Sequence, residues 1–119
     1  MTFITRFAPS PTGPLHLGHA YSAIISHDMA RRAEGKFYIR IEDLDQSRST
    51  KKWENHIFDD LDWLGLSWDG PIVRQSEQLD RYKNILIKFK KELRLFECTC
   101  SRRDIKKALS APHENEHLL

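Results

Sequence analysis

Apolar positions along this chain recur with two different periods, and the changeovers mark out its elements. The opening run Thr2-Phe3-Ile4-Thr5-Arg6-Phe7-Ala8 has the β-branched and aromatic content of a short strand. Pro9-Ser10-Pro11-Thr12-Gly13-Pro14 stops it, because three prolines and a glycine forbid helix or ladder and force a fixed loop. From 17 to 33 the spacing is helical, with Leu17, Ala20, Tyr21 and Ile24 on the expected apolar face. Gly35 stands where a helix C′ residue belongs, after Arg31 and Arg32. Residues 36–43 alternate as a strand, Phe37, Ile39 and Ile41 on one face and Tyr38, Arg40 and Glu42 on the other. A second helix is predicted over 50–64 on the stripe Trp53, Ile57, Leu61 and Leu64, closed by Gly65. Trp68-Asp69-Gly70-Pro71 reads as a turn. Ser76 can cap a third helix striped by Leu79, Tyr82, Leu86, Phe89 and Leu93, and Leu95-Phe96-Glu97-Cys98 would be a further short strand.

A strand, loop, helix and second strand in that order make a parallel βαβ unit of an α/β sheet. Ligands of such sheets bind outside the carboxyl ends of the strands, so the loop at 9–14 and the Glu42-Asp43 end should share one rim. Composition narrows the class without naming the chemistry. With 119 residues, 39% hydrophobic and 30% charged, the chain is a single globular domain rather than a disordered one. A net charge of +2 is too mild to imply a polyanionic partner. The cluster Arg102-Arg103 and Lys106-Lys107 suits a solvated helix face as well as RNA contact. No apolar stretch is long enough to span a membrane and no signal peptide opens the chain, which reads as cytoplasmic. Cys98 and Cys100, one residue apart, do not make a disulfide framework.

Three motifs carry chemistry. In the first, Pro9 to His19, the loop runs into a helix start whose N–H groups and dipole favour a phosphate. His16 and His19 lie three apart, on one face near that positive end, and Gly18 between them leaves the backbone open to a flat ring system. A His-x-x-His pair taken alone is more often an incidental or metal-binding pattern. The second motif, Arg40-Ile41-Glu42-Asp43-Leu44-Asp45, sets three acids at the end of a strand; one could pair with an amino group, while Asp43 and Asp45 suit a capped turn. In the third, Cys98 and Cys100 are plausible zinc ligands, with His113 and His117 at a finger-like distance downstream. Arg74-Gln75-Ser76-Glu77 is assigned a structural role, as are Trp53, Trp63 and Trp68; His27 and His56 are expected at the surface.

The string Arg6-Phe7-Ala8-Pro9-Ser10-Pro11-Thr12-Gly13, followed by His16-Leu17-Gly18-His19, resembles the ATP-binding box of class I aminoacyl-tRNA synthetases, in the branch that handles glutamate and glutamine. The resemblance covers about residues 3–113. It implies the amino-terminal half of a Rossmann-like catalytic domain over 1–97, and over 98–119 the start of a zinc-binding, acceptor-type insertion. It implies ATP at Pro9, Thr12, Gly13, His16, Gly18 and His19, with the two histidines as catalytic groups. Glutamate would be held by Arg6 on a carboxylate, Glu42 on the α-ammonium and Ser10 through its hydroxyl, an opposed pair suited to a zwitterion. Zinc on Cys98 and Cys100 would be completed in the family by a Tyr and a further Cys, which this chain lacks. Within the branch, Leu17-Gly18-His19-Ala20, Leu44, Trp68-Asp69-Gly70-Pro71 and Cys98-Thr99-Cys100-Ser101-Arg102-Arg103 look more like the shortened paralogue, which attaches glutamate to the queuosine base of tRNA(Asp), than the enzyme that charges tRNA(Glu). The resemblance further implies a monomer when complete. It also implies that these residues alone are inactive or nearly so, since the family's lysine-rich loop and second half-sheet are not among them.

Overall fold

A computed structural model describes residues 2–110 of the chain, which forms two compact units, Met1–Tyr82 and Lys83–Leu119. The first carries a three-stranded sheet in the order β1-β2-β3, with β1 Ile4–Phe7, β2 Lys36–Ile41 and β3 Val73–Arg74, all parallel. Parallel neighbours need crossovers, and the helices α1 (Leu17–Arg32) and α2 (Lys51–Trp63) supply them. The expected βαβ unit is therefore present, extended by a third strand. Its core is Phe7, Phe37, Ile39 and Ile41 from the sheet with Ala23, Ala30, Ile57 and Leu61 from the helices and Leu66 beyond them.

The α1 face differs from the expected one. Of the expected positions Ile24 packs half-buried against the core and Ala20 is half-buried, but Leu17 and Tyr21 are exposed, while Ala23 and Ala30 are fully buried. The line that meets the sheet is Ala23, Ser26, His27 and Ala30, an i, i+3, i+4, i+7 pattern of small and polar residues. Small side chains let the helix backbone approach β1 closely enough for the Thr5 hydroxyl to donate to the Ser26 carbonyl at 2.7 Å. His27 is accordingly not a surface residue: its ring meets Phe37 edge-on with centroids 5.4 Å apart, and its Nε2 is buried without a partner among the described residues.

Helix α1 ends one residue earlier than Gly35 suggests. Glu34 takes the left-handed conformation (φ 48°), its N–H reaching the Arg31 carbonyl, and the Gly35 N–H reaches Ala30 at 2.8 Å. Gly35 is needed for a different reason: a Cβ there would lie 2.3 Å from the carbonyl oxygen of Phe3, which accepts the Lys36 N–H that opens the β1–β2 ladder. At the end of α2, Gly65 (φ 70°) does occupy the expected C′ position. Thr50 caps the start of α2, accepting from the Trp53 N–H. Trp68 packs on the core beside Phe58, and Trp53 is half-buried, but Trp63 is 85% exposed.

Between α2 and β3 one charge is buried. The Glu54 Oε1 accepts from Arg74 Nη2 at 2.6 Å, Arg74 Nε at 3.0 Å and Lys51 Nζ at 2.8 Å. The structural role expected of Arg74 is this one. Ser76 does not cap a helix; its N–H and hydroxyl both donate to Asp43, and a single 3₁₀ turn, Ser76–Gln78, precedes α3 (Leu79–Lys91). On α3, Tyr82 is half-buried, but Leu79, Leu86 and Phe89 are exposed, as is Leu93 just past its end, so most of the predicted stripe is uncovered among the described residues. Residues 95–98, expected as a strand, pair with no other strand among the described residues. After them, α4 (Arg102–Leu109) starts in a reciprocal cap between Ser101 and Asp104 and carries Arg102, Arg103, Lys106 and Lys107 exposed.

Candidate functional site

The loop after β1 is held at three points. The Pro9 carbonyl accepts from the Glu42 N–H at 2.9 Å, the Pro11 carbonyl from the Thr50 N–H at 3.1 Å, and the Ser10 carbonyl from the Thr12 N–H at 2.9 Å. With Pro9 and Pro11 buried, the loop is tied to the end of β2 and the start of α2. It forms one wall of a cleft of about 370 Å³, lined by Arg6, Pro9, Ser10, Thr12, Gly13 and His19 among others. Six of the residues assigned from sequence therefore come together, at the carboxyl end of β1 as the sheet rule requires. Sequence reading missed Ser22, which adds a hydroxyl from α1. A Cβ at Gly13 would meet nothing within 4 Å, so that position opens on the cleft.

The two histidines behave as a capping box. His16 is the N-cap of α1, its Nδ1 accepting from the Gly18 N–H at 3.1 Å, while the His19 Nδ1 accepts from the His16 N–H at 3.2 Å. The rings lie against each other, tilted by 31° with centroids 3.8 Å apart. An acceptor Nδ1 carries no proton, so the tautomer this geometry selects has its N–H on Nε2 in both rings. Burial, with the neighbouring His16, holds the His19 imidazole below its ordinary pKa and so favours that neutral form. The helix start is thus less free than its sequence suggests: the Gly18 and His19 N–H groups are already engaged by His16. The imidazole Nε2–H groups remain as donors beside that helix start. Gly18 makes room for a neighbour, since a Cβ would lie 3.0 Å from the His16 ring. His16 itself borders a separate groove of about 210 Å³ beside Leu17 and Trp63 rather than the cleft.

In the parallel register Arg6 pairs with Tyr38, which puts Arg6 on the same sheet face as Tyr38, Arg40 and Glu42, opposite the core. Arg6 is exposed and unpaired among the described residues. Glu42 does not border the cleft; its Oε1 accepts from the Arg40 Nη2. Asp43 joins the β2 end to Ser76. Burial pushes its carboxyl up, but the Ser76 hydrogen bonds and the Arg74 charge outweigh this and hold it below the ordinary value. Asp45 accepts from Ser47 and Arg48, the capped turn expected of it.

Cys98 and Cys100 are both exposed. Among the described residues no group of three or more His, Cys, Asp and Glu is placed to hold a metal ion. Structural zinc takes four donors, and these two thiols do not meet that need. His113 and His117 lie outside the described residues. No helix among the described residues is long and apolar enough to cross a membrane.

The family profile of the catalytic domain of class I tRNA synthetases (E and Q) matches residues 2–117. The glutamyl-Q tRNA(Asp) synthetase of Rhodobacter capsulatus is 56% identical over 115 residues, which are 97% of this chain and 41% of that protein. Glutamate–tRNA ligase 2 of Rickettsia akari is 45% identical over 113 residues, 95% of this chain and 24% of the ligase. In three dimensions the chain resembles a glutamate tRNA ligase from Elizabethkingia meningosepticum, crystallised in complex with its amino acid, with a TM-score of 0.73 at 32% identity over 91% of this chain and 23% of that one. The chain thus spans about two fifths or less of the length of these relatives.

Proposed function

Since this chain belongs to the class I tRNA synthetases (E and Q), through their catalytic domain, we propose that it is the nucleotide- and amino-acid-binding part of an enzyme that activates L-glutamate with ATP and transfers it to the queuosine base of tRNA(Asp). The observation that carries the reading is the cleft itself, which Arg6, Ser10, His19 and the loop at 9–14 line together.

The chemistry divides among those groups. Arg6, exposed and unpaired among the described residues, binds a carboxylate of glutamate, and Ser10 adds a hydroxyl hydrogen bond. Glu42 offers a negative charge for the α-ammonium. The α-carboxylate oxygen attacks the α-phosphorus of ATP, the bond to the bridging oxygen breaks, and pyrophosphate leaves with its electron pair. His16 and His19, presenting Nε2–H donors beside the positive end of α1, stabilise charge that grows on the phosphoryl oxygens and supply no nucleophile. Proline anchoring of the loop limits the reorganisation this requires. Residues 98–119 are then the start of an acceptor-type insertion, and the basic face of α4 suits RNA phosphates. Zinc has no part in this proposal, because the donors described do not complete a site.

The preference for tRNA(Asp) rests on the higher identity to the Rhodobacter capsulatus protein, and the rickettsial ligase favours tRNA(Glu) as the second reading. Pyrophosphate exchange by the full-length protein should require glutamate and ATP and proceed without tRNA, and labelled glutamate should then appear on tRNA(Asp). Charging of tRNA(Glu) alone would establish the second reading, and no exchange at all would refute both. The 119 residues by themselves are expected to exchange little or none.

A further inference from the structure

Four arginines of the first unit pair with carboxylates, Arg48 with Asp45 in an exposed turn and three nearer the sheet, and one of these three is unlike the others. Arg31 donates to Asp69, the Ser67 carbonyl and the Ser67 hydroxyl, and Arg74 to Glu54 with Glu77 at 3.5 Å, so both guanidiniums are well matched. Arg40 donates through Nη2 to Glu42, while its Nε is buried with no partner among the described residues. Buried donors are almost always satisfied, and an exception asks for a reason other than stability. Arg40 and Glu42 are two apart on β2, on the face away from Phe37, Ile39 and Ile41 and shared with Arg6. Only one carboxylate oxygen of Glu42, Oε1, is taken; Oε2 has no partner among the described residues.

The backbone on either side of Glu42 is already fixed. Its own N–H is held by the Pro9 carbonyl, and the next residue, Asp43, is clamped to Ser76 through both carboxylate oxygens. The remaining freedom is in the Glu42 side chain, and the contact from Arg40 removes it.

We infer that Arg40 is a positioning residue for amino-acid recognition: it holds one oxygen of Glu42 so that the other is presented to the α-ammonium of the substrate. This rests on the glutamate reading proposed above. Arg40 touches neither substrate nor ATP. Its effect is confined to ligands that carry an α-ammonium.

The test compares L-glutamate with glutarate, which keeps both carboxylates and lacks the amino group, in pyrophosphate exchange by the full-length protein. In Arg40→Met the KM for glutamate should rise about tenfold or more, the scale of one charge-assisted hydrogen bond. The KM for ATP and the inhibition constant of glutarate should stay within twofold. Arg40→Lys, which restores a cation but not the planar fork, should recover part of the loss. Equal changes in all three constants would reduce Arg40 to a structural residue and overturn the inference, as would a glutamate KM unchanged in Arg40→Met. Glu42→Gln separates the two levels. If it raises the glutamate KM while Arg40→Met does not, the positioning role falls and the glutamate reading stands. If neither substitution moves it, both fall.

Discussion

Removing Glu54 tests how the crossover from α2 to β3 is fastened. The side chain is 8% exposed and one oxygen, Oε1, receives three donors, two from Arg74 and one from Lys51. In Glu54→Ala the Arg74 side chain, 26% exposed, loses its main partner and among the described residues keeps the Glu77 carboxylate at 3.5 Å. Breaking a fully buried pair costs about 3–5 kcal/mol; partial exposure of Arg74 and the remaining Glu77 lower the expectation here to about 2–3 kcal/mol. Urea unfolding should show this as a lower midpoint at unchanged slope. The pH dependence identifies the cause. Burial raises the Glu54 carboxyl, but hydrogen bonds from Arg74 and Lys51 and their charges outweigh it, so the folded value lies below the ordinary 4.5. A carboxyl depressed in the folded state contributes stability that is fully present above its unfolded value and is lost as pH falls through the folded one. The gap between wild type and Glu54→Ala should therefore be constant near neutrality and close as pH drops beneath 4.5. A neutral-pH loss below about 1 kcal/mol would refute the ion-pair account. A gap that persists unchanged in acid would mean that Glu54 matters through packing instead.

Gly35→Ala should destabilise by about 1–3 kcal/mol in the same assay, because the new Cβ meets the Phe3 carbonyl at 2.3 Å and must displace β1; a neutral effect would contradict that geometry. His19, whose pKa is lowered in the fold, makes the folded state lose stability as pH falls from 6.5 toward its folded value, since the unfolded chain takes up the proton first. That acid-side decline should be shallower in His19→Ala, and equal slopes in the two proteins would count against the neutral capping role. Backbone and side-chain hydrogen bonding from Cys100 holds the Cys98 thiol below its ordinary value, so Cys98 should alkylate faster than Cys100, and Cys100→Ala, which removes the side-chain donor but keeps the backbone N–H, should slow it in part. Mass spectrometry of a timed iodoacetamide reaction reads both rates, and equal rates at the two thiols would refute the assignment.

Sequence by itself was enough for the βαβ order, the rim on which the site residues gather, and the family string from Arg6 to His19. These rest on local rules: alternation of Phe37, Ile39 and Ile41, the Pro-rich stop at 9–14, and a glycine after α2. Other outcomes needed the tertiary structure. The buried face of α1 is set by how closely a helix can approach β1, which favours Ala23 and Ala30 over the more hydrophobic Leu17 and Tyr21. A search for small residues at i, i+3 and i+7 would have found it; a search for large apolar ones could not. Glu54, Arg74 and Asp43 find partners 20 and 33 residues away, beyond the reach of any local pattern. His16 and His19 show both levels at once. Their spacing announced a shared helical face, but only three-dimensional geometry makes each Nδ1 an acceptor of a backbone N–H, which commits the rings to capping α1 and leaves Nε2 as the donor.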